Sequence, residues 1–379
     1  MDIYRLLLTI FLIEIILISA LYRKILVAGP IKISGTSAVN FVALVNIIVM
    51  LVVAGFRDKS IGTDLTNYLY QLERLGSYSF SRIGEFSSYY KIEYIFTILE
   101  KVLWNLLTID YMFTFVTAGI ILFLLYKYLK ALSPNILISL FLFLTFCLYN
   151  QSFNIIRQYI AIMIVLCAMT DMLNEKHKKS IVLFVLAICI HKTALVGLLI
   201  LPGLYFKKNI YKLSFLAIIC SSVAAIVGYR ALYSLINILG YSRYISREST
   251  GVTVSLMMNC ILFAVIAFFS YNREKYYESK DLIVEANHSR LWVWMAAMCL
   301  SLNIMAITIP MVDRMMIVFK CSYLVSIPNM MFSIKQKGLR IGIYVSVLVL
   351  FTIYYLHSLD ANSCYNTVPY ASNVLKSLY

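Results

Sequence analysis

Three arginines interrupt apolar sequence in this chain, Arg57, Arg157 and Arg314, and each stands beside another polar residue. A guanidinium keeps its charge and presents a planar fork of donors that fits a phosphate, so three near one cavity would clamp a polyanion. Arg57 opens the stretch GFRDKSIGTDLTNYLYQLERL, which also holds Asp64 and Tyr68. That stretch reads too as a capped helix start, with Thr63 or Asp64 as N-cap and Gly62 freeing the turn. Arg157 and Gln158 open an apolar run that continues to Cys167. An ionisable group at membrane depth is expensive and faces a cavity or a partner, unless it snorkels to the interface. His191, followed by Lys192 and Thr193, breaks another apolar run. A neutral imidazole there could act as a general base, or be a hydrogen-bonded structural residue. Asp313-Arg314 is either a further piece of the site or an interfacial anchor, and Pro369-Tyr370 either a contact or a turn.

The elements that would carry these residues are helices in a membrane. The chain has 379 residues, of which 61% are hydrophobic and 13% charged, whereas a soluble domain carries about 25% charged residues. A water-facing surface cannot be coated with so little charge, and a soluble globular enzyme is excluded. Apolar runs of about twenty residues, enough to cross a bilayer as helix, fall at 3–22, 37–55, 110–131, 134–150, 155–173, 211–229, 253–271, 290–308, 314–333 and 340–357. The expected fold is all-α, a polytopic transmembrane bundle of about 10–12 spans, in one membrane domain over 1–379. The run from Ile3 to Tyr22 lacks a small-x-small cleavage site and reads as an uncleaved first span.

A net charge of +15 raises the question of nucleic acid, but the Lys and Arg residues stand in short clusters between apolar runs, without interleaved aromatics. Nucleic acid is therefore not an expected partner. The clusters are Arg23/Lys24/Lys32, Lys127/Lys130, Lys176/Lys178/Lys179, Lys207/Lys208/Lys212, Arg273/Lys275/Lys280 and Lys335/Lys337/Arg340. All fit on the cytoplasmic side if two conditions hold. Segment 92–107 must lie at the interface rather than cross, with Glu93, Thr97, Glu100/Lys101 and Asn105 as the polar stripe of an interfacial helix. Segment 180–206 must rise and return as a re-entrant-like pair of short helices broken at His191. The outer loop region 56–109, the His191 tip, the loop 230–252, the turn 308–313 and the outer C-terminal tail 358–379 then share one face. Arginines gathered at an outer, lipid-level cavity suggest a lipid-pyrophosphate-linked substrate. The cysteines are scattered without CxxC or Cys/His spacing, and Asp-x-Asp is absent from the sequence, so neither a metal nor another cofactor is expected.

Taken in order, Phe56-Arg57, Gly62-Thr63-Asp64, Tyr68, Ile156-Arg157-Gln158-Tyr159-Ile160-Ala161, His191-Lys192-Thr193-Ala194, Asp313-Arg314 and Pro369-Tyr370 resemble the Wzy/EpsG-type family of bacterial polysaccharide polymerases. The resemblance implies a membrane glycosyltransferase with a GT-C-like helical fold. Such an enzyme joins oligosaccharide repeat units on undecaprenyl pyrophosphate into O-antigen, capsular or exopolysaccharide chains at the outer face of the cytoplasmic membrane. It further implies that Arg57, Arg157 and Arg314 bind the pyrophosphate, and that His191, with Asp64 as alternative, takes the acceptor proton. Gln158, Tyr68, Asp313 and Tyr370 would meet the sugars. The implied partners are the lipid-linked repeat units, membrane lipid and a chain-length regulator. An O-antigen ligase and a lipid-linked oligosaccharide flippase are the competing readings. The long outer segment lies early rather than late, which disfavours the ligase, and no internal repeat marks a transporter.

Overall fold

The computed structural model describes residues 2–21, 37–106, 111–206, 209–238, 252–278, 283–309, 311–334, 336–372 and 374–375. Arg23, Lys24, Lys32, Lys207, Lys208, Lys280, Lys335, residues 107–109 of the outer segment, 239–251 of the loop 230–252 and 376–379 of the tail lie outside the described residues. Among the described residues the regular elements are all helical. Among the described residues, seven helical segments are long and apolar enough to cross a membrane: Ile3–Ala20, Ala38–Gly55, Met112–Leu132, Ile156–Leu173, Val254–Lys275, Val312–Ser333 and Lys337–Ala361. Shorter apolar helices run over Ile136–Thr145, Lys192–Tyr205 and Ile210–Ile226. The chain is a polytopic helical membrane protein.

Two compact units divide the chain, one formed by Met1–Leu195 with Ile334–Tyr379, the other by Val196–Ser333. The first holds α1 (Ile3–Leu21), α2 (Ser37–Gly55), α6 (Met112–Leu132), α7 (Ile136–Thr145), the short α8 (Leu148–Gln151), α9 (Ile156–Leu173), α10 (His177–Ile190) and α18 (Lys337–Asn366). Between α2 and α6 stand α3 (Leu65–Gly76), a 3₁₀ turn at Phe80–Arg82, α4 (Ile83–Tyr90) and α5 (Tyr94–Leu106). Local chemistry sets several boundaries. Asn135 caps α7 by accepting from the amides of Leu137 (3.1 Å) and Ile138 (3.2 Å). The run expected at 134–150 is split by Cys147, at φ 58°, into α7 and α8.

Helix direction gives this unit two ends. The C-terminus of α2 meets the start of α6 through Thr114 Oγ1, which donates to the Gly55 carbonyl at 2.6 Å. The end of α18 meets the loop after α2, since the Gly62 amide donates to the Asn366 carbonyl at 3.0 Å. At the opposite end, Ser19 and Tyr344 share a 2.8 Å hydrogen bond. Lys127 and Lys130 lie near the end of α6, Lys176, Lys178 and Lys179 between α9 and α10, and Lys337 and Arg340 at the start of α18. Each of these basic groups is therefore remote from the end where α2, α6 and α18 meet.

The second unit holds α11 (Leu201–Tyr205), α12 (Ile210–Ile238), α13 (Val252–Glu278), α14 (Ile283–Met305), α15 (Val312–Met315), α16 (Ile317–Lys320) and α17 (Tyr323–Ser333). Asn259 of α13 donates to Asn303 Oδ1 of α14 at 2.8 Å and accepts from the Tyr323 hydroxyl of α17 at 3.1 Å. Glu274 of α13 binds the Tyr211 hydroxyl at 2.8 Å and the Arg290 guanidinium at 2.5 Å, joining α12, α13 and α14. Buried polar groups joined in this way fix which helix faces meet.

Two expectations are altered. Segment 92–107 does form a helix, α5, of 13 residues, about 20 Å long at 1.5 Å per residue and too short to span a hydrocarbon core of about 30 Å. Its polar stripe, however, faces inward: Thr97, Glu100 and Lys101 are buried, while Tyr94, Ile95, Trp104 and Leu106 are exposed, with Asn105 outward among them. An interfacial helix on water would show the reverse. The re-entrant segment is broken at His191 as expected, but a 3₁₀ stretch, Lys192–Ile200, takes the place of most of the second helix before α11.

Candidate active site

The inward face of α5 assembles the site, and its key carboxylate stands one residue ahead of the helix. Glu93 Oε2 pairs with Arg157 Nη1 at 3.0 Å, and Glu93 Oε1 lies 2.8 Å from His191 Nδ1. The Lys192 amide also donates to Oε1, at 3.2 Å. One carboxylate thus joins the start of α9, the end of α10 and the approach to α5. Burial alone would raise the Glu93 pKa. The hydrogen bond from His191 and the charge of Arg157, joined by that of His191 when its ring is protonated, outweigh it and hold the carboxyl down at about 2.

Arg157 occupies the first turn of α9, which begins at Ile156 without a side-chain cap. The positive end of the helix and the guanidinium therefore coincide, the arrangement that favours an anion. The guanidinium carbon lies 5.9 Å from the Tyr68 ring centre and 5.7 Å from that of Phe96. Tyr68 is itself buried against Phe96 and Phe113, so the aromatic wall fixes the plane of the arginine. Gln158, the next residue, is buried. Arg157 keeps 21% of its side chain exposed and His191 23%, so both are open to a ligand despite their shared partner.

His191 terminates α10. Its amide donates to the Ala187 carbonyl at 2.9 Å, and its backbone turns extended. An imidazolium formed there would meet the negative end of the helix as well as the Glu93 carboxylate. Two turns along α5 from Glu93, Glu100 is fully buried with neither carboxyl oxygen hydrogen-bonded. Burial pushes its pKa up to about 8, against the opposing charge of Arg157. Two carboxyls on one helix face are thus held in opposite states at neutral pH, Glu93 ionised and Glu100 protonated.

Arg57 takes a different position. It is 3% exposed, donates from Nη1 to the Ala54 carbonyl, and lies 4.6 Å from the Phe153 ring centre. Burial lowers its pKa to about 10, opposed by Tyr149, Tyr4 and Tyr370, so it stays cationic at neutral pH. The last carbonyls of α2 are taken by three side chains: Tyr370 binds Val53 at 2.8 Å, Arg57 binds Ala54, and Thr114 binds Gly55. Arg57 and Tyr370 therefore cap α2 where its dipole is negative.

The loop after Arg57 is stitched to the rest of the site. Gly62 has φ +92°, and a Cβ there would come within 2.2 Å of Asn154 Oδ1. That close approach lets Asn154 accept the Thr63 amide at 2.8 Å while donating to the Tyr365 carbonyl at 2.8 Å. The Asp58 amide binds the Ala371 carbonyl at 2.8 Å. Asp64 sits at the N-cap position of α3 but makes no side-chain cap, accepting instead from the Thr63 hydroxyl at 3.0 Å. Loop 57–64, residues 150–154 and tail 364–372 form one hydrogen-bonded block at the head of α9.

Of the residues expected at the site, Arg157 and His191 are gathered around Glu93, and Tyr68 lies against Arg157. Gln158 follows Arg157, and Arg57, Asp64 and Tyr370 belong to the adjoining block. Asp313 and Arg314 lie on α15 of the second unit. Glu93 itself was legible only as one member of a polar stripe, and no sequence signal set it apart from Thr97 or Glu100. A model of the EpsG family matches residues 40–372. No curated protein and no solved structure matches the chain.

Proposed function

From the premise that this chain belongs to the EpsG family, we propose that it is a bacterial polysaccharide polymerase that lengthens a chain from lipid-diphosphate-linked oligosaccharide repeat units. The observation that carries the reading is Arg157 at the uncapped start of α9, tied through Glu93 to His191. That pairing sets an anion grip beside a potential proton acceptor, which are the two functions that glycosyl transfer from a diphosphate requires.

In this reading a sugar hydroxyl of one unit attacks the anomeric carbon of the other. A new C–O bond forms there, the bond to the diphosphate breaks, and the electron pair leaves on the diphosphate. Arg157 and the α9 N-terminus stabilise the charge that grows on the leaving group, while His191 accepts the hydroxyl proton. Asp64 is the alternative base. Tyr68 and Gln158 border the sugar side. Arg57, buried behind Phe153, acts by holding the loop and by its charge, and Tyr370 does so from the tail. The roles assigned to Asp313 and Arg314 rest on the resemblance. Donor binding by guanidinium makes the reaction independent of metal.

The basic ends of α6, α9 and α18 lie opposite the site, an arrangement that under the positive-inside rule supports a reading with the site on the exoplasmic side of the cytoplasmic membrane. The product is O-antigen, capsular or exopolysaccharide, with chain length set together with a regulator protein.

Replacement of Arg157 by Ala in the producing cell tests the reading. The expected outcome is surface glycan reduced to single repeats at a normal level of the membrane protein. Loss of all attached glycan would indicate a ligase, and retention of units on the cytoplasmic side would indicate a flippase.

A further inference from the structure

We propose that Glu93 is the positioning residue of this site, holding His191 in the tautomer that bears its proton on Nδ1 and leaves Nε2 as the acceptor, while fixing Arg157 through its second oxygen. This rests on the polymerase reading for the reaction it serves. The contact itself stands on geometry: Oε1 is 2.8 Å from Nδ1, Oε2 is 3.0 Å from Nη1, and the Lys192 amide locks Oε1 at 3.2 Å. An ionised carboxylate can only accept, so a neutral imidazole facing it must donate from Nδ1. Nε2 is then bare and free to take a proton. His191 and Glu93 are 23% and 10% exposed, which allows one face of the ring to reach a ligand while the other stays held.

The same carboxylate sets the charge of the anion grip. Paired with Glu93, Arg157 is neutralised in part before any donor arrives. During transfer the acceptor hydroxyl gives its proton to His191 Nε2, so the imidazole becomes cationic between Glu93 and the end of α10. The positive charge thus appears as the diphosphate departs, and is returned when Nε2 releases the proton to solvent. Glu93 consequently matters more to the reacting complex than to binding, a distinction that a purely structural ion pair would not make.

The test uses the full chain in lipid nanodiscs with ¹⁵N-labelled histidine. The chain has four histidines, and His191 is assigned by the resonance lost in His191→Gln. The expected spectrum without substrate shows His191 with a proton on Nδ1 and a bare Nε2, and Glu93→Ala returns it to the tautomer mixture of a free imidazole. With lipid-diphosphate-linked repeats, Glu93→Gln is expected to lower kcat by about 10²-fold or more, with the donor KM unchanged or lower because Arg157 is released. Glu93→Asp recovers part of kcat. A wild-type His191 protonated on Nε2, or a spectrum indifferent to Glu93→Ala, overturns the proposal, as does an unchanged kcat in Glu93→Gln. A wild-type protein with the expected tautomer and no elongation of repeats overturns the polymerase reading instead, leaving the Glu93–His191 contact standing.

Discussion

In the proposed role, Arg157 acts by shape as well as charge. Its fork lies against the Tyr68 and Phe96 rings and is paired with the Glu93 carboxylate. A lysine would keep the charge but lose the planar, bidentate geometry. Arg157→Lys is therefore expected to lower kcat/KM by about 10-fold or more and Arg157→Ala by about 10²–10³-fold, read as the rate of repeat addition by purified protein. Glu100 gives a different kind of prediction. Its pKa is raised in the folded chain from 4.5 to about 8. Above pH 4.5 the unfolded state releases this proton and the folded state keeps it, so stability falls as pH rises towards 8. Glu100→Gln removes the penalty, so its melting midpoint in detergent should exceed wild type by more at pH 8 than at pH 5. An equal offset at both would show the carboxyl to be ionised in the fold. Arg157 and His191 were legible in the sequence because each interrupts apolar residues. Glu93 was not, because its partners come from two other helices and only the folded chain brings them to it.

Among the elements, α5 shows where pattern reading reached its limit. The 3.6-residue spacing of Glu93, Thr97, Glu100 and Lys101 correctly marked a helix with one polar face. Which way that face turns depends on what lies behind it, and here Lys101 reaches the carbonyls of Leu75 (3.2 Å) and Gly76 (3.1 Å) at the end of α3. The apolar side, with Tyr94, Ile95, Trp104 and Leu106, is left exposed. The loop between α2 and α3 was read more fully, because only a left-handed residue suits the Gly62 position. Gly62→Ala would place a methyl against Asn154 at φ +92°, costing about 1–3 kcal/mol and loosening the block that carries Asn154 and the tail. Limited proteolysis should show earlier cleavage in loop 57–64 than in wild type. Unchanged protection would mean that the loop is held by contacts other than Asn154.

At the scale of the whole molecule, the apolar runs located the helices, but not the interruptions within them. Val312–Ser333 contains three short helices and Pro328, and a hydropathy average over the run does not register such breaks because Met316, Cys321 and Ser322, which stand at them, carry no charge. The placement of charge was more informative, since in the first unit the Lys clusters and the Glu93 site fall at opposite ends of the helices. Single cysteines at Lys127 and at Asp64, in an otherwise cysteine-free chain, should be labelled from opposite sides of intact cells by a membrane-impermeant maleimide, Asp64→Cys alone from outside. Labelling of Lys127→Cys from outside would invert the topology. The proposal that a guanidinium-held site elongates glycan without a metal is tested by repeat addition by purified chain on lipid-diphosphate-linked units in EDTA, with Arg157→Ala beside it. The expected outcome is a ladder of products from wild type and single repeats from the variant. A wild-type ladder abolished by EDTA and restored by a divalent cation, or an equal ladder from Arg157→Ala, would contradict it.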